Sequence, residues 1–337
     1  MSSFSRDAQR SAIPLRCASR LNELRVSARM IDRRQQLREL YGFDFPEDFF
    51  RFWNLVNRLQ PLEPLNALLN LSIQLVGPFE ILAGRFDKVT PRHSLLLHWR
   101  YSFDPPEFFT VLAGEGDGLH WGYYLDDPAR GSGCVASYYA VDASEFSVDG
   151  DDLFEAVRLH LEERYRDCEE DREDDPDHRA EYDEEMRRLD CRRAQWMAFD
   201  GSKRDEIGAA YVDRWAGRSR RRPTAKTQEG MGIVVPPDRY RPLSRKDRKL
   251  WSYLCQTDDP VDIVDEARQA LHDGFPGTAL KLGKDLWAIG GERHTEYAYE
   301  LLDAAYAALG REVLRNVLRV HRENRDLPSV DILDNEG

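Results

Sequence analysis

Phe108-Phe109-Thr110-Val111-Leu112 is rich in β-formers. Gly114-Glu115-Gly116-Asp117-Gly118 follows as a turn, and Leu119 to Leu125 returns as a second strand. Leu95-Leu96-Leu97-His98-Trp99, a short apolar run bounded by polar residues, reads as one more strand, so that Ile73 to about Tyr139 makes an antiparallel sheet with hairpins. Upstream, Asp44 can cap a helix or sit in a turn, Pro46 suits a first helical turn, and Glu47 and Asp48 favour the positive end of the helix dipole. Phe49, Phe52, Trp53, Val56 and Leu59 then form one apolar helical face. Downstream, Asp151 to Tyr165 is helical again. Helices packed on an antiparallel sheet make this an α+β unit over 41–165.

With 337 residues the chain has room for about two domains. Seven Trp, fourteen Tyr and fifteen Phe can fill a core. The formal charge of -13 excludes a uniformly basic nucleic-acid coat, and no direct nucleic-acid binding is expected. The acidity is local: residues 162–190 hold fifteen Asp or Glu against six Arg. Most of that segment falls in a charged linker region over 166–229, whose acidic stretch 166–200 reads as a solvated helix or a partly disordered linker. Residues 214–226 within it are basic, with Trp215 as the lone aromatic, so a solvated loop fits better than a stacking platform.

Five Cys, none spaced C-x-x-C, argue against a disulfide scaffold or a Cys-based zinc site. The longest uncharged run, Leu65 to Phe79, is about half a membrane span, and no secretory h-region is visible, so an intracellular, soluble protein is expected. It would be nuclear in a eukaryote and cytoplasmic in a bacterium. Residues 1–40 read as a loose tail leading into a helix near Leu21–Leu40.

A second, mixed and helix-rich domain spans 230–325, followed by a tail at 326–337. Gly232-Ile233-Val234-Val235-Pro236 reads as a short strand. Asp259-Pro260 opens a helix whose apolar stripe is Ile263, Val264, Ala267 and Leu271, with Gly274 as its stop. Thr295 to Arg322 is a last amphipathic helix or pair. The eight His give no tight metal-ligand spacing; His98, inside an apolar run, reads as a satisfied core histidine. Asp273 is a local oddity. It lies where the exposed carbonyls at the end of the 260–271 helix disfavour a carboxylate, so its pKa is expected to rise toward what a general base needs, while His272 suits that dipole.

Tyr41-Gly42-Phe43 with Pro46-Glu47-Asp48-Phe49 and Phe52-Trp53, then Gln74 to Gly84, Leu97-His98-Trp99-Arg100 and Asp104-Pro105-Pro106-Glu107-Phe108 together resemble the histone PARylation factor family. Gly232 to Pro236, Tyr240-Arg241 and Leu280 to Leu286 continue the likeness. The resemblance implies an accessory protein that docks on the catalytic domain of a poly(ADP-ribose) polymerase and lends it a carboxylate for modifying serine, on histones or other serine-containing acceptors, after DNA damage. It implies no activity of the chain alone and no cofactor bound by it; NAD is used by the partner transferase. Carried over residue by residue, the family's Tyr-Arg docking pair falls on Tyr240 and Arg241. Its catalytic Glu falls on Asp273, one methylene shorter, and the preceding Asp falls on His272. No membrane association is implied. The Tyr41–Trp53 pattern and the sheet also look like the Smi1/Knr4 type of domain, whose members bind partner proteins without catalysis. Nothing in the chain reads as a dinucleotide site.

Overall fold

A computed structural model describes residues 32–141, 145–201, 204–245 and 247–336. The expected tail and the start of its helix lie outside these residues; what is described begins with helix α1 at 32–41. Five strands then form one antiparallel meander, β1 (Ile73–Leu75), β2 (Phe108–Gly114), β3 (Leu119–Asp127), β4 (Ser132–Tyr139) and β5 (Ser147–Gly150), ordered as in the chain. The α+β class and the β2–β3 hairpin are therefore as the sequence implied, with Ala113 paired to His120 across the glycine-rich turn. Leu95–Leu97 is instead a 3₁₀ turn, closed by the Ser94 hydroxyl accepting from the Leu96 N–H. An apolar triplet can be buried equally well as a turn, and here Leu96 and Leu97 are buried without strand pairing.

Helix α2 (Glu47–Leu59) buries Phe49, Phe52, Trp53 and Val56 as its periodicity demands. Pro46, not Asp44, stands at its N-cap; Asp44 pairs at 3.6 Å with Arg38 on α1. The Phe49 ring stacks 4.3 Å from Phe79 on the short helix α3 (Pro78–Ala83) and 4.7 Å from Phe45. Offset stacking of this kind adds about 0.5–1.5 kcal/mol per pair beyond area burial. His98 is a core residue as expected but only half satisfied: its Nε2 lies 2.5 Å from the Glu80 carboxylate, while its buried Nδ1 has no hydrogen-bond partner.

The boundary drawn at 165/166 falls inside a single helix, α4 (Leu153–Asp174). With α5 (Arg179–Asp200) it forms an antiparallel hairpin that carries the acidic run. The root of the hairpin is packed, since Trp196 lies 5.5 Å from both Phe52 and Phe154 and its indole N–H donates to the Phe154 carbonyl. Buried Glu162 accepts from Arg158, from Arg193 and from the backbone N–H of Gly208, which opens helix α6 (Gly208–Trp215). Tying three segments to one carboxylate costs desolvation but leaves no lone pair of the Glu unsatisfied.

In the second half, helices α7 (Asp247–Gln256), α8 (Val261–His272), α9 (Pro276–Ile289), α10 (Glu292–Leu309) and α11 (Glu312–Glu323) pack around α9, which is buried from Pro276 to Trp287. Gly232–Pro236 is not a strand; it contributes one isolated bridge, Ile233 to Ala225. Helix α8 starts at Val261 with Pro260 at its N-cap, one residue later than the sequence suggested. The final amphipathic stretch is a pair of helices, broken at Gly310 with φ +70°. Both halves share one continuous hydrophobic cluster running from Leu37 to Ile332. Tyr306 on α10 donates to Glu107 at 2.8 Å, and the Trp287 indole donates to the Phe103 carbonyl at 3.0 Å.

Candidate functional site

The turn between α8 and α9 presents the site. Gly274, at φ +95°, closes α8: its N–H donates to Leu271 O at 3.0 Å while the Phe275 N–H reaches Ala270 O at 2.9 Å. This is a Schellman motif, and a residue with a Cβ is disfavoured at its left-handed position. The expected stop is thus in place, and it leaves Asp273 as the exposed C-cap residue.

Tyr240 and Arg241 approach from another direction, after the 3₁₀ turn Pro237–Arg239. Two features hold them against α9. A Cβ on Gly277 would lie 2.8 Å from Val235 Cγ2 and 3.0 Å from the Arg239 carbonyl oxygen, so glycine permits the close approach. Thr278 Oγ1 accepts from the Arg241 N–H at 3.1 Å and donates to the Arg241 carbonyl at 2.6 Å. With its backbone pinned, Arg241 lays its guanidinium 4.9 Å over the Phe275 ring and donates from Nη2 to Asp273 Oδ2 at 3.0 Å. Tyr240 is half-buried against the core.

Asp273 Oδ1 accepts from the Gln269 side chain at 2.7 Å, one helical turn back, and lies 3.6 Å from His272 Nδ1. The expected rise in its pKa does not occur. The Gln269 hydrogen bond and the Arg241 pair hold the Asp273 carboxyl below its ordinary value. Hydrogen bonds to the charged form outweigh the carbonyl dipoles at an exposed helix end, where solvent screens the latter. His272 is largely exposed, as a candidate contact residue should be.

All four predicted residues therefore converge on one corner, and three of them touch directly. Gln269 and Thr278 were missed, as was the Arg241–Asp273 pair itself. The i, i+4 spacing of Gln269 and Asp273 was a legible signal; a pair 32 residues apart in the chain was not.

The corner is exposed at Arg241, His272 and Asp273. A groove of about 570 Å³ lined by Arg33, Trp53, Asn57 and Leu62 includes neither Asp273 nor Arg241. No group of three or more His, Cys, Asp or Glu side chains among the described residues could hold a metal ion, and no helix among them is long and apolar enough to cross a membrane.

The Leu280–Leu286 run behaves differently from the corner. Lys281, Lys284 and Asp285 are buried. Lys284 pairs with Glu229 at 2.8 Å, donates to Gly232 O at 2.9 Å and contacts the Tyr124 hydroxyl of the sheet. Asp285 accepts from Lys281 at 2.6 Å and from the Gln228 N–H at 3.0 Å; burial nevertheless pushes its pKa up to about 6. These residues join the two halves.

Residues 32–325 match the family described as HPF1, histone PARylation factor 1. Three relatives bear the name "Histone PARylation factor 1". The one from Bos taurus is 28% identical over 327 residues, covering 90% of this chain and 89% of the relative. The Mus musculus protein is 28% identical over 345 residues, covering 94% and 92%, and the Danio rerio protein 28% over 321 residues, covering 89% and 88%.

Proposed function

Since the chain belongs to the histone PARylation factor 1 family, we propose that it is an accessory factor that completes the active site of an ADP-ribosyltransferase of the poly(ADP-ribose) polymerase type and directs it to serine on histones or other acceptor proteins. The observation that carries this reading is the exposed Asp273 carboxylate, fixed by its cap motif and held against a backbone-pinned Arg241. An ionised carboxylate on an exposed surface suits a reaction centre whose other half is a second protein.

The chemistry requires such a loan. A serine hydroxyl is a poor nucleophile because it is almost wholly protonated near neutral pH. Asp273 would accept that proton as the hydroxyl oxygen bonds to the ribose carbon and nicotinamide leaves, a contribution of about 10²–10⁴-fold. NAD would be bound by the partner. Tyr240, Arg241 and His272 would face the transferase, with the planar guanidinium of Arg241 taking partner carboxylates or carbonyls.

Docking has a consequence for the base. Any partner group that draws Arg241 away removes one of the two strongest influences holding the Asp273 carboxyl low, so basicity would rise on assembly. A free factor would carry a weak base, and a docked one a stronger base.

The test is an ADP-ribosylation assay with a poly(ADP-ribose) polymerase catalytic domain, NAD and a serine-containing histone peptide. Adding the protein should produce serine-linked product, and Asp273→Ala should lower that product by about 10²-fold or more while still co-purifying with the transferase. No serine-linked product with the unaltered protein, or full activity with Asp273→Ala, would defeat the reading.

A further inference from the structure

A second concavity, of about 340 Å³, opens where α4 diverges from the β3–β5 face of the sheet. Its floor is a cross-strand row, Trp121 on β3 opposite Ser137 on β4 opposite Ser147 on β5. Its rim carries Tyr139, 43% exposed. His160 of α4 meets the Trp121 ring edge-on at 5.1 Å. Burial lowers the pKa of this imidazole, whose Nε2–H donates to Leu71 O at 3.0 Å, so that wall is a neutral aromatic one.

Two carboxylates line the same space, Asp149 of β5 and Glu163 of α4. Asp149 is only 8% exposed; the Ser137 and Ser147 hydroxyls hydrogen-bond toward its carboxyl, yet its Oδ2 is buried without a partner of its own. Among the described residues neither acid has an ion pair within 4.0 Å. Of the two arginines that also line it, Arg164 is bonded to Ser72 at 2.8 Å and Glu185 at 3.4 Å, and Arg166 to Asp167 at 2.9 Å, although the Arg166 charge still acts on Glu163 from beyond ion-pair distance. A buried carboxylate oxygen with no donor is costly, and its persistence needs a reason.

The missing element is a cation with N–H donors. A carboxylate pair framed by aromatic rings suits an ammonium, which gains Coulomb attraction, hydrogen bonds and ring-face contact together. The volume exceeds that of a single water and admits a four-carbon stem. We propose that this pocket binds a primary ammonium at the end of an alkyl chain: the lysine side chain of a basic protein segment, with Asp149 and Glu163 as its acceptors, Trp121 beneath it and Tyr139 at the rim. Burial pushes the Asp149 carboxyl up to about 7, and a cation seated beside it would lower that value. The proposal does not depend on the transferase reading, because the pocket shares no residue with the Asp273 corner.

The test is a solution NMR titration of the full chain with Nα-acetyl-lysine methylamide, read at the Trp121 indole resonance, against the same compound acetylated on Nε. The lysine probe should shift that resonance saturably and the neutral probe should not. Asp149→Asn and Glu163→Gln should each weaken binding about tenfold or more. Glu184→Gln, on the same acidic hairpin but outside the pocket, should leave it unchanged. Thermal melts of each variant establish that it is folded; if Asp149→Asn does not fold, the partly exposed Glu163→Gln decides. No saturable shift, an equal shift with the acetylated probe, or an equal loss in Glu184→Gln would overturn the site.

Discussion

Asp273 illustrates how one side chain can be placed by its chain neighbours and yet tuned by a distant one. Its position at the end of α8 follows from Gly274, but its acidity is set by Gln269 and Arg241. Removing the guanidinium in Arg241→Ala should raise the Asp273 pKa toward the ordinary carboxylate value, read by NMR titration of its carboxyl carbon. An unchanged midpoint would mean that the pair does not control the base. Asp149 offers the opposite case, a carboxyl whose folded-state pKa, about 7, lies above its unfolded value near 3.8. The folded state then binds the extra proton between those limits, so stability falls as pH rises from about 4 to about 7. Asp149→Asn removes the Asp149 share of that dependence, to which buried Asp285, pushed up to about 6, also contributes. Relative to the native chain it should gain stability progressively over this window, by on the order of 1–4 kcal/mol at its upper end, as urea melts at several pH values would show.

At the scale of elements, the α8–α9 turn and the N-terminus of α9 act as the mount for the site. Gly274→Ala should cost about 1 kcal/mol, since nothing crowds the new methyl but its left-handed φ is unfavourable. Gly277→Ala should cost more, about 1–3 kcal/mol, because its methyl meets Val235 and the Arg239 carbonyl at close range. The two also differ in function: Gly277→Ala shifts the segment bearing Tyr240 and Arg241, so transferase binding should weaken in it while Gly274→Ala mainly misplaces Asp273. Denaturant melts paired with a transferase pull-down separate these outcomes. The amphipathic faces of α2 and α8 could be read from spacing alone. The Leu95–Leu97 turn could not, because three apolar residues are too short a run to show a period.

For the whole molecule, the link between the halves is a buried polar seam set inside a shared apolar cluster. Lys284→Met would leave Glu229 buried with its charge uncompensated, and removing one partner of such a pair costs about 3–5 kcal/mol. The variant should melt at a markedly lower temperature, and in one transition, since the sheet and the α9 bundle cannot separate without exposing their common core. Two resolved transitions in calorimetry would show that the halves are independent. An acidic hairpin read as a charged linker is anchored here by Trp196 and Glu162, which stand toward either end of a stretch whose composition is otherwise that of a solvated surface.

The amino-acid order settled the strands of the hairpin, the apolar stripes of the helices and the glycine that ends α8. All of these are governed by φ/ψ preference and by burial repeating every two or 3.6 residues, which act between near neighbours in the chain. Folding in three dimensions settled which charges meet. Arg241 found Asp273, Lys284 found Glu229, and among the described residues Asp149 was left without an ion pair. Coulomb attraction and desolvation depend on distance through space, and no spacing along the chain encodes that distance.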